Sequence, residues 1–215
     1  MISLERCAQV LLRSVVILAM VVCLDGCSDS RPLKWTEDVL LFDGRVVTLT
    51  RYQEFKGPHE IGQPPTESDY WFEFKHPDTG SVVRWASHRD LATMALMIDN
   101  KVPRLLVVPE FDGRFKRKCP DPPYLLFRFD SGEWREESIE ALRGRRITPN
   151  MTYLGSGSRD EIYSNDHHLS KEQVLKNAPA FLKRRDIDFQ SLGTQTFGIR
   201  CDPPFDWMIS TSGDK

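Results

Sequence analysis

The stretch Tyr70-Trp71-Phe72-Glu73-Phe74-Lys75, followed by Pro77-Asp78-Thr79-Gly80 and Ser81-Val82-Val83-Arg84-Trp85, decides the fold class. Buried-type and polar side chains alternate on both sides of the turn, which is the pattern of two half-buried strands. With residues 77–80 as the loop, the predicted pairs are Phe72 with Trp85, Phe74 with Val83, and Glu73 with Arg84. One face is then aromatic and the other carries an opposite-charge pair. Turn and pattern therefore predict the same register.

A second hairpin is predicted around Asp43-Gly44, because Asp-Gly between apolar runs is the strongest short hairpin signal. A two-residue loop there pairs Leu41 with Val46 and Leu40 with Val47. Both faces of this strand pair are apolar near the turn, so we expect it to be covered on both sides.

Two more hairpins follow. Residues 91–98 are apolar all round, so they form either a buried strand or a buried helix capped by Asp90. The following Asp99-Asn100 and the run 103–108 favour a hairpin. Residues 124–129 and 133–135 predict another hairpin, in which Gly132 takes the left-handed position of a three-residue loop.

The chain changes character after about residue 140. Residues 141–169 are predicted to be a polar, flexible segment. Ser170 and Gln173 form a capping box that begins a short helix, and a short strand over 196–200 follows. The predicted domains are a leader over 1–26, a tether over 27–34, a hairpin-rich β domain over 35–140, and a helix plus strand over 170–215 that pack back on it. The fold class is mainly β, with α+β character at the C-terminus. We expect an antiparallel, hairpin-rich sandwich or barrel-like sheet with one or two short helices.

Composition excludes several classes of protein. The 215 residues are 40% hydrophobic and 28% charged, with a net charge of −2. These values are typical of a globular chain and argue against disorder. They also argue against nucleic-acid binding, which is typically supported by a strongly basic surface.

The N-terminus has the pattern of a targeting signal. Arg6 and Arg13 precede an uncharged apolar run over 14–24, which is too short to span a membrane and is typical of a secretory signal. The sequence Leu24-Asp25-Gly26-Cys27 resembles the lipobox of bacterial lipoprotein precursors. That resemblance implies lipidation of Cys27, and Ser28 after it implies the outer membrane, facing the periplasm. A plain signal peptide or an uncleaved anchor is the alternative.

Two cysteines remain in the predicted mature chain, Cys119 and Cys201. An even pair in an oxidising compartment predicts a disulfide. The competing reading, a metal pair, fails on spacing because neither cysteine has a second Cys or His nearby. No metal and no cofactor are expected.

Chemistry-bearing residues are few. Asp166, His167 and His168 are candidates for acid–base catalysis, and an exposed polar loop is the alternative. His59 and Glu60, in a Pro/Gly-rich loop, are candidates for partner binding. The basic cluster that contains Arg114, Lys116 and Arg117 is a further binding candidate.

These observations favour a protein that binds rather than catalyses. The stretch Trp35-Thr36-Glu37-Asp38-Val39-Leu40 with Asp43-Gly44-Arg45 resembles uncharacterised proteobacterial lipoproteins, which imply no activity. We expect a non-enzymatic interaction module, anchored to the membrane by lipid, with a protein partner in the envelope. An inhibitor or immunity protein is one form of it. The alternative is an envelope hydrolase that uses residues 166–168.

Overall fold

The chain is mainly β. The computed structural model describes residues 32–56, 67–88, 90–110, 112–120, 122–152, 162, 166–177 and 186–189. Strands take up 54% and helices 13% of the described residues, so the predicted class is confirmed. The strands are β1 (Leu33–Leu40), β2 (Val46–Phe55), β3 (Glu67–Lys75), β4 (Val82–Ser87), β5 (Leu91–Asp99), β6 (Val102–Pro109), β7 (Leu125–Asp130), β8 (Glu133–Glu137), β9 (Arg146–Ile147), β10 (His168–Leu169) and β11 (Ile187–Asp188). The helices are α1 (Asp112–Lys116), α2 (Lys171–Asn177) and a 3-10 turn over Ile139–Leu142.

Two sheets pack face to face. Sheet I has the order β10-β1-β2-β3-β4, and sheet II has the order β5-β6-β7-β8. Neighbouring strands are antiparallel in both sheets except β1 and β10, which are parallel. A single core cluster joins them, with members such as Leu49, Phe72 and Trp85 from sheet I and Leu96, Leu105 and Phe127 from sheet II. The arrangement is a β-sandwich.

The β3–β4 hairpin has the predicted register. Phe72 lies opposite Trp85, Phe74 opposite Val83, and Glu73 opposite Arg84. The aromatic face is buried: Phe72 is 0% exposed and Trp85 is 5% exposed.

The β1–β2 register differs from the prediction by one residue. Leu40 lies opposite Val46 and Val39 opposite Val47. Leu41 and Arg45 flank a loop over residues 42–44: Leu41 N–H donates to the Arg45 carbonyl, Gly44 N–H donates to the Leu41 carbonyl, and Gly44 has a φ of 85°. A left-handed residue at the third position is typical of such a three-residue loop. Burial alternates along both strands, and Val46 is 46% exposed, so the expected cover on both sides is wrong near this turn.

Residues 91–98 are a strand, which settles the open choice. The strand β5 is covered on both faces, by sheet I on one side and by the segment around the 3-10 turn, β9 and β11 on the other. A strand buried on both faces is apolar at every position, and this explains why the sequence showed no period. The β7–β8 turn is also a correction, because Asp130 pairs with Glu133 and leaves the two-residue loop Ser131-Gly132 rather than three residues.

The predicted segment boundaries need two corrections. Leu33, placed in the tether, is 1% exposed and belongs to β1. The described start of the predicted flexible segment is packed, since Leu142, Ile147 and Met151 are each 0% exposed. Asn150 holds it in place: its side chain accepts from Leu96 N–H and donates to the carbonyls of Leu40 and Leu96 at 2.8–2.9 Å.

The predicted helix start is confirmed. Ser170 N–H donates to Gln173 Oε1 at 2.8 Å, one half of a capping box. The helix α2 packs Val174 against Trp35 and Leu169 in a small core at the end of sheet I. The predicted strand over 196–200 lies outside the described residues.

Two buried tyrosines predict a loss of stability at high pH. Burial raises the pKa of both Tyr70 and Tyr124 to about 12 from 10.0. The native state keeps both hydroxyls protonated after the unfolded chain has released them. Stability is therefore intact below pH 10 and falls as the pH rises towards 12, by about 3 kcal/mol for each tyrosine. We expect Tyr124→Phe to lose roughly half of this dependence in urea unfolding at pH 9 to 11.5; identical pH dependence in variant and parent would contradict the assignment.

Candidate functional site

A charged cleft lies where turns from the two sheets meet. Its volume is about 620 Å³, within the range of small-ligand sites. Its lining comes from the β1–β2 turn, the β3–β4 turn, the β5–β6 turn and the neighbouring parts of β6, the 3-10 turn and residue 145. The lining residues are Asp43, Arg45, Asp78, Ile98, Asp99, Asn100, Lys101, Arg104, Ala141 and Arg145. We call this set the charged cleft.

Arg45 joins the two turns of sheet I at one wall of the cleft. Its Nε donates to Asp43 Oδ2 at 2.7 Å and its Nη1 to Asp78 Oδ1 at 2.8 Å. The hydrogen bond from Arg45 lowers the pKa of Asp43, and the hydrogen bonds to Asp43 and Asp78 raise the pKa of Arg45. Both groups therefore keep their charges at neutral pH.

Asp99 holds two guanidinium groups at the opposite wall. Arg145 binds it through both terminal nitrogens, at 2.6 and 3.3 Å, and Arg104 Nη1 lies 3.5 Å away. Arg104 also donates to Glu137 through Nε at 2.7 Å, and this hydrogen bond raises the pKa of Arg104. The second wall thus consists of paired charges on sheet II and on the segment before β9.

The imidazole of His76 ties the two walls together. His76 is 3% exposed. Its Nδ1 accepts from the N–H groups of Asp78 and Thr79 at 3.1 and 3.3 Å. Its Nε2 lies 3.0 Å from the Lys101 carbonyl, and because a carbonyl can only accept, Nε2 carries the proton. One neutral ring therefore fixes the Asp78 turn of sheet I against the Lys101 turn of sheet II.

Lys101 differs from the other cations of the cleft. It is exposed, and no carboxylate among the described residues forms an ion pair with its ammonium group. It occupies the second position of the two-residue β5–β6 turn with a φ of 64°, where glycine is the residue of lowest strain.

The structure brings the predicted catalytic segment to the edge of sheet I. His168 belongs to β10 and lies beside β1: its Nδ1 is 2.9 Å from Thr36 Oγ1 and its Nε2 is 3.5 Å from Asp38 Oδ2. His167 Nδ1 lies 3.1 Å from the Lys34 carbonyl. Asp166 and His167 both have positive φ. The two imidazoles thus make different contacts and share no ligand position.

The predicted basic binding cluster lies on α1 and on the turn that follows it. Arg114 Nε donates to the Pro109 carbonyl at 3.0 Å. Arg117 pairs with Glu136 at 2.6 Å and lies over the Phe127 ring. Lys116 is exposed. Two of the three cations are therefore engaged in holding α1 to sheet II.

Several predicted residues cannot be placed. His59, Glu60, Cys27 and Cys201 lie outside the described residues. Cys119 is disulfide-bonded, and its pairing with Cys201 stays a prediction.

No protein-family model, curated protein or solved structure matches this chain. Across the part of the chain that the structure describes, no helix is long and apolar enough to cross a membrane, and no three His, Cys, Asp or Glu side chains are grouped to hold a metal ion.

The charged cleft was not among the predicted sites. The predicted turns lie at about the observed positions, and they carry Arg45, Asp78, Asp99 and Lys101. The missing signal was that all three turns lie at the same end of the sandwich. Charged residues at successive hairpin turns could have suggested this, once the sheets were assumed to pack face to face.

Proposed function

We propose that the chain is a lipid-anchored, non-enzymatic binding module of the bacterial cell envelope. The observation that carries the proposal is the charged cleft, whose polar groups are already fixed before any ligand arrives. Arg45, His76 and Asp99 each join chain segments that are far apart in sequence. Preorganised groups cost little further ordering when a ligand binds.

The anchor comes from the sequence alone. The lipobox over 24–27 supports lipidation of Cys27, a chemistry that holds a domain at a membrane surface. The β-sandwich begins at Leu33, six residues after Cys27. A domain so close to its anchor is suited to an envelope partner at the outer membrane, such as a target that an inhibitor or immunity protein neutralises.

A cross-linking experiment tests this function. The tagged full-length chain is expressed in its own host, living cells are cross-linked, and the products are identified under non-reducing conditions. We expect one stoichiometric partner, and we expect Cys27→Ser to release the chain from the membrane fraction and reduce capture severalfold. Capture of abundant porins alone, equally with Cys27→Ser, would contradict an anchored binding module.

A second function is favoured by two contacts of His168. Thr36, His168 and Asp38 form a hydroxyl–imidazole–carboxylate chain, the grouping that activates nucleophiles in hydrolases. An envelope hydrolase of this kind predicts that His168→Ala abolishes an activity and leaves thermal stability unchanged, whereas His167→Ala retains it. If both variants are fully active, or no hydrolysis is detected in the parent, the hydrolase is excluded.

A further inference from the structure

We propose that the charged cleft binds a small molecule through an oxyanion, a carboxylate or phosphate group, held by the ammonium group of Lys101. The inference deepens the proposed binding function and rests on it. It follows from the unpaired ammonium group of Lys101, from the geometry of the Lys101 turn and from the size of the space.

One cation of the cleft has no ion-pair partner. Four cationic lining residues face four carboxylates, of which three line the cleft and the fourth, Glu137, binds Arg104 from beside it. The three guanidinium groups hold these carboxylates, at 2.6–2.7 Å for the closest atom pair of each arginine. Lys101 has no such partner among the described residues. An anion that enters the cleft therefore meets one ammonium group that no carboxylate engages.

The arginines of the cleft offer further N–H hydrogen-bond donors, although their charges are already paired with carboxylates. A guanidinium has five N–H groups, and Arg145 uses two of them on Asp99. Its side chain is 34% exposed, so further N–H groups are available at the cleft. An oxyanion with several lone pairs can accept from such donors as well as from the ammonium group.

The backbone of Lys101 is held by a hydrogen bond from the buried His76 ring. Its carbonyl accepts from His76 Nε2 at 3.0 Å, so the turn that carries the ammonium group is tied to the core of the sandwich. His76 is a positioning residue: it contacts the backbone of Lys101 and not the ligand. A lysine that starts from a fixed turn loses less freedom on binding than one on a mobile loop.

The cleft has room for a small ligand. It is open to solvent, and its volume of about 620 Å³ accommodates a molecule of metabolite size. It is lined mostly by charged side chains, with Ile98 and Ala141 as apolar exceptions. Such a lining favours a polar, oxyanion-bearing compound over an apolar one.

Because Lys101 has a positive φ, its side chain can be removed by a substitution that keeps the turn. Glycine relieves the strain of a positive φ, so Lys101→Gly removes the ammonium group without weakening the turn. Lys118 provides a matched control, because it is exposed, lies outside the cleft and has a φ of 53°. Lys118→Gly removes the same charge and relieves the same kind of strain. Lys101→Arg keeps the charge.

The experiment is a titration of the full-length chain with sodium phosphate and, separately, sodium acetate, at constant ionic strength, followed by backbone amide NMR. We expect saturable shifts at residues 76–81 and 99–101. Lys101→Gly should weaken binding about tenfold or more, which is the effect of losing one charge-assisted hydrogen bond. Lys118→Gly should bind like the parent, and Lys101→Arg should stay within a few-fold of it.

The anion arms identify the ligand chemistry: saturation by phosphate alone assigns a phosphate group, and saturation by acetate alone assigns a carboxylate. Equal binding by the parent and Lys101→Gly, or no saturable shift with either anion, overturns the inference. If anion binding fails in this way but the Lys101→Gly chain still captures a cross-linked partner, the inference is wrong and the proposed binding function is still supported. If anion binding depends on Lys101 but no partner is captured, the proposed anion site is supported and the proposed protein partner is contradicted.

Discussion

Replacing Arg51 with methionine is expected to lower the free energy of unfolding by about 3–5 kcal/mol. Arg51 is 4% exposed and Glu37 is 0% exposed, and they pair inside the sandwich at 2.9 Å. Removal of the guanidinium leaves the carboxylate of Glu37 buried without its counter-charge. A buried charge that loses its partner is among the most destabilising changes a core can suffer.

The pair is part of a wider network. Arg51 Nη1 also donates to the Thr152 carbonyl at 2.8 Å, and Nη2 donates to Thr93 Oγ1 at 3.2 Å. The guanidinium lies over the Trp35 ring, 5.1 Å from its centroid. One side chain therefore links β2 with β1, β5 and the segment that follows β9.

A double variant separates charge from packing. Glu37→Leu combined with Arg51→Met removes both charges, so the double variant should be more stable than Arg51→Met alone. It should remain below the parent, because Trp35 Nε1–H and Thr152 N–H lose the carboxylate that accepts from them. The control is Arg135→Met, whose side chain is 64% exposed and whose effect should stay within about 0.5 kcal/mol. Urea unfolding is measured for Arg51→Met, for Glu37→Leu, for the double variant and for Arg135→Met. A double variant whose loss equals the sum of the losses of the two single variants would contradict a coupled buried pair.

The second large effect is expected at His76. His76→Ala removes the partner of two backbone N–H groups and one backbone carbonyl at the charged cleft. These groups are partly buried, and each one left unpaired costs about 1–3 kcal/mol at full burial. We expect a total loss of about 2–4 kcal/mol, together with broadened amide signals at residues 77–79 and 100–102.

His88 is the natural control, because its side chain is 81% exposed. His88→Ala should change stability by less than about 0.5 kcal/mol. Equal losses for His76→Ala and His88→Ala in thermal or urea unfolding would show that the ring of His76 does not hold the turns together.

The sequence predicted local pairing well where turn and alternation agreed. In the β3–β4 hairpin, strict alternation and a loop ending in glycine selected one register, and that register is the one observed. In the β1–β2 hairpin, Leu40 and Leu41 are both apolar, so alternation could not choose between two registers. The Asp-Gly signal then suggested a loop that was too short.

Because the predicted β1–β2 register was wrong by one residue, the buried ion pair of Arg51 and Glu37 was not predicted. In the observed register Arg51 lies opposite Trp35 and shares the inner face with Glu37. A shift by one residue places Arg51 opposite Thr36, which lies on the other face of β1. The charged pair could therefore be found only after the turn was known.

The turn signals alone did not reveal the charged cleft, for a different reason. Arg45 and Asp78 are 33 positions apart, and Asp99 and Arg145 are 46 positions apart. The first pair depends on how two hairpins lie side by side in sheet I, and the second on how the segment before β9 packs against sheet II. Turn signals report which residues reverse the chain, and they carry no information about which turns meet in space.

The central claim is that the charged cleft is the binding surface of an envelope module. The most direct measurement places a photo-cross-linking amino acid in the full-length chain in its own host, at Ala141 in the cleft or at Lys116 on α1. Both positions are exposed, and only Ala141 lines the cleft. We predict one dominant adduct from position 141 and none from position 116. An adduct from position 116 alone, or equal adducts from both, would contradict the account.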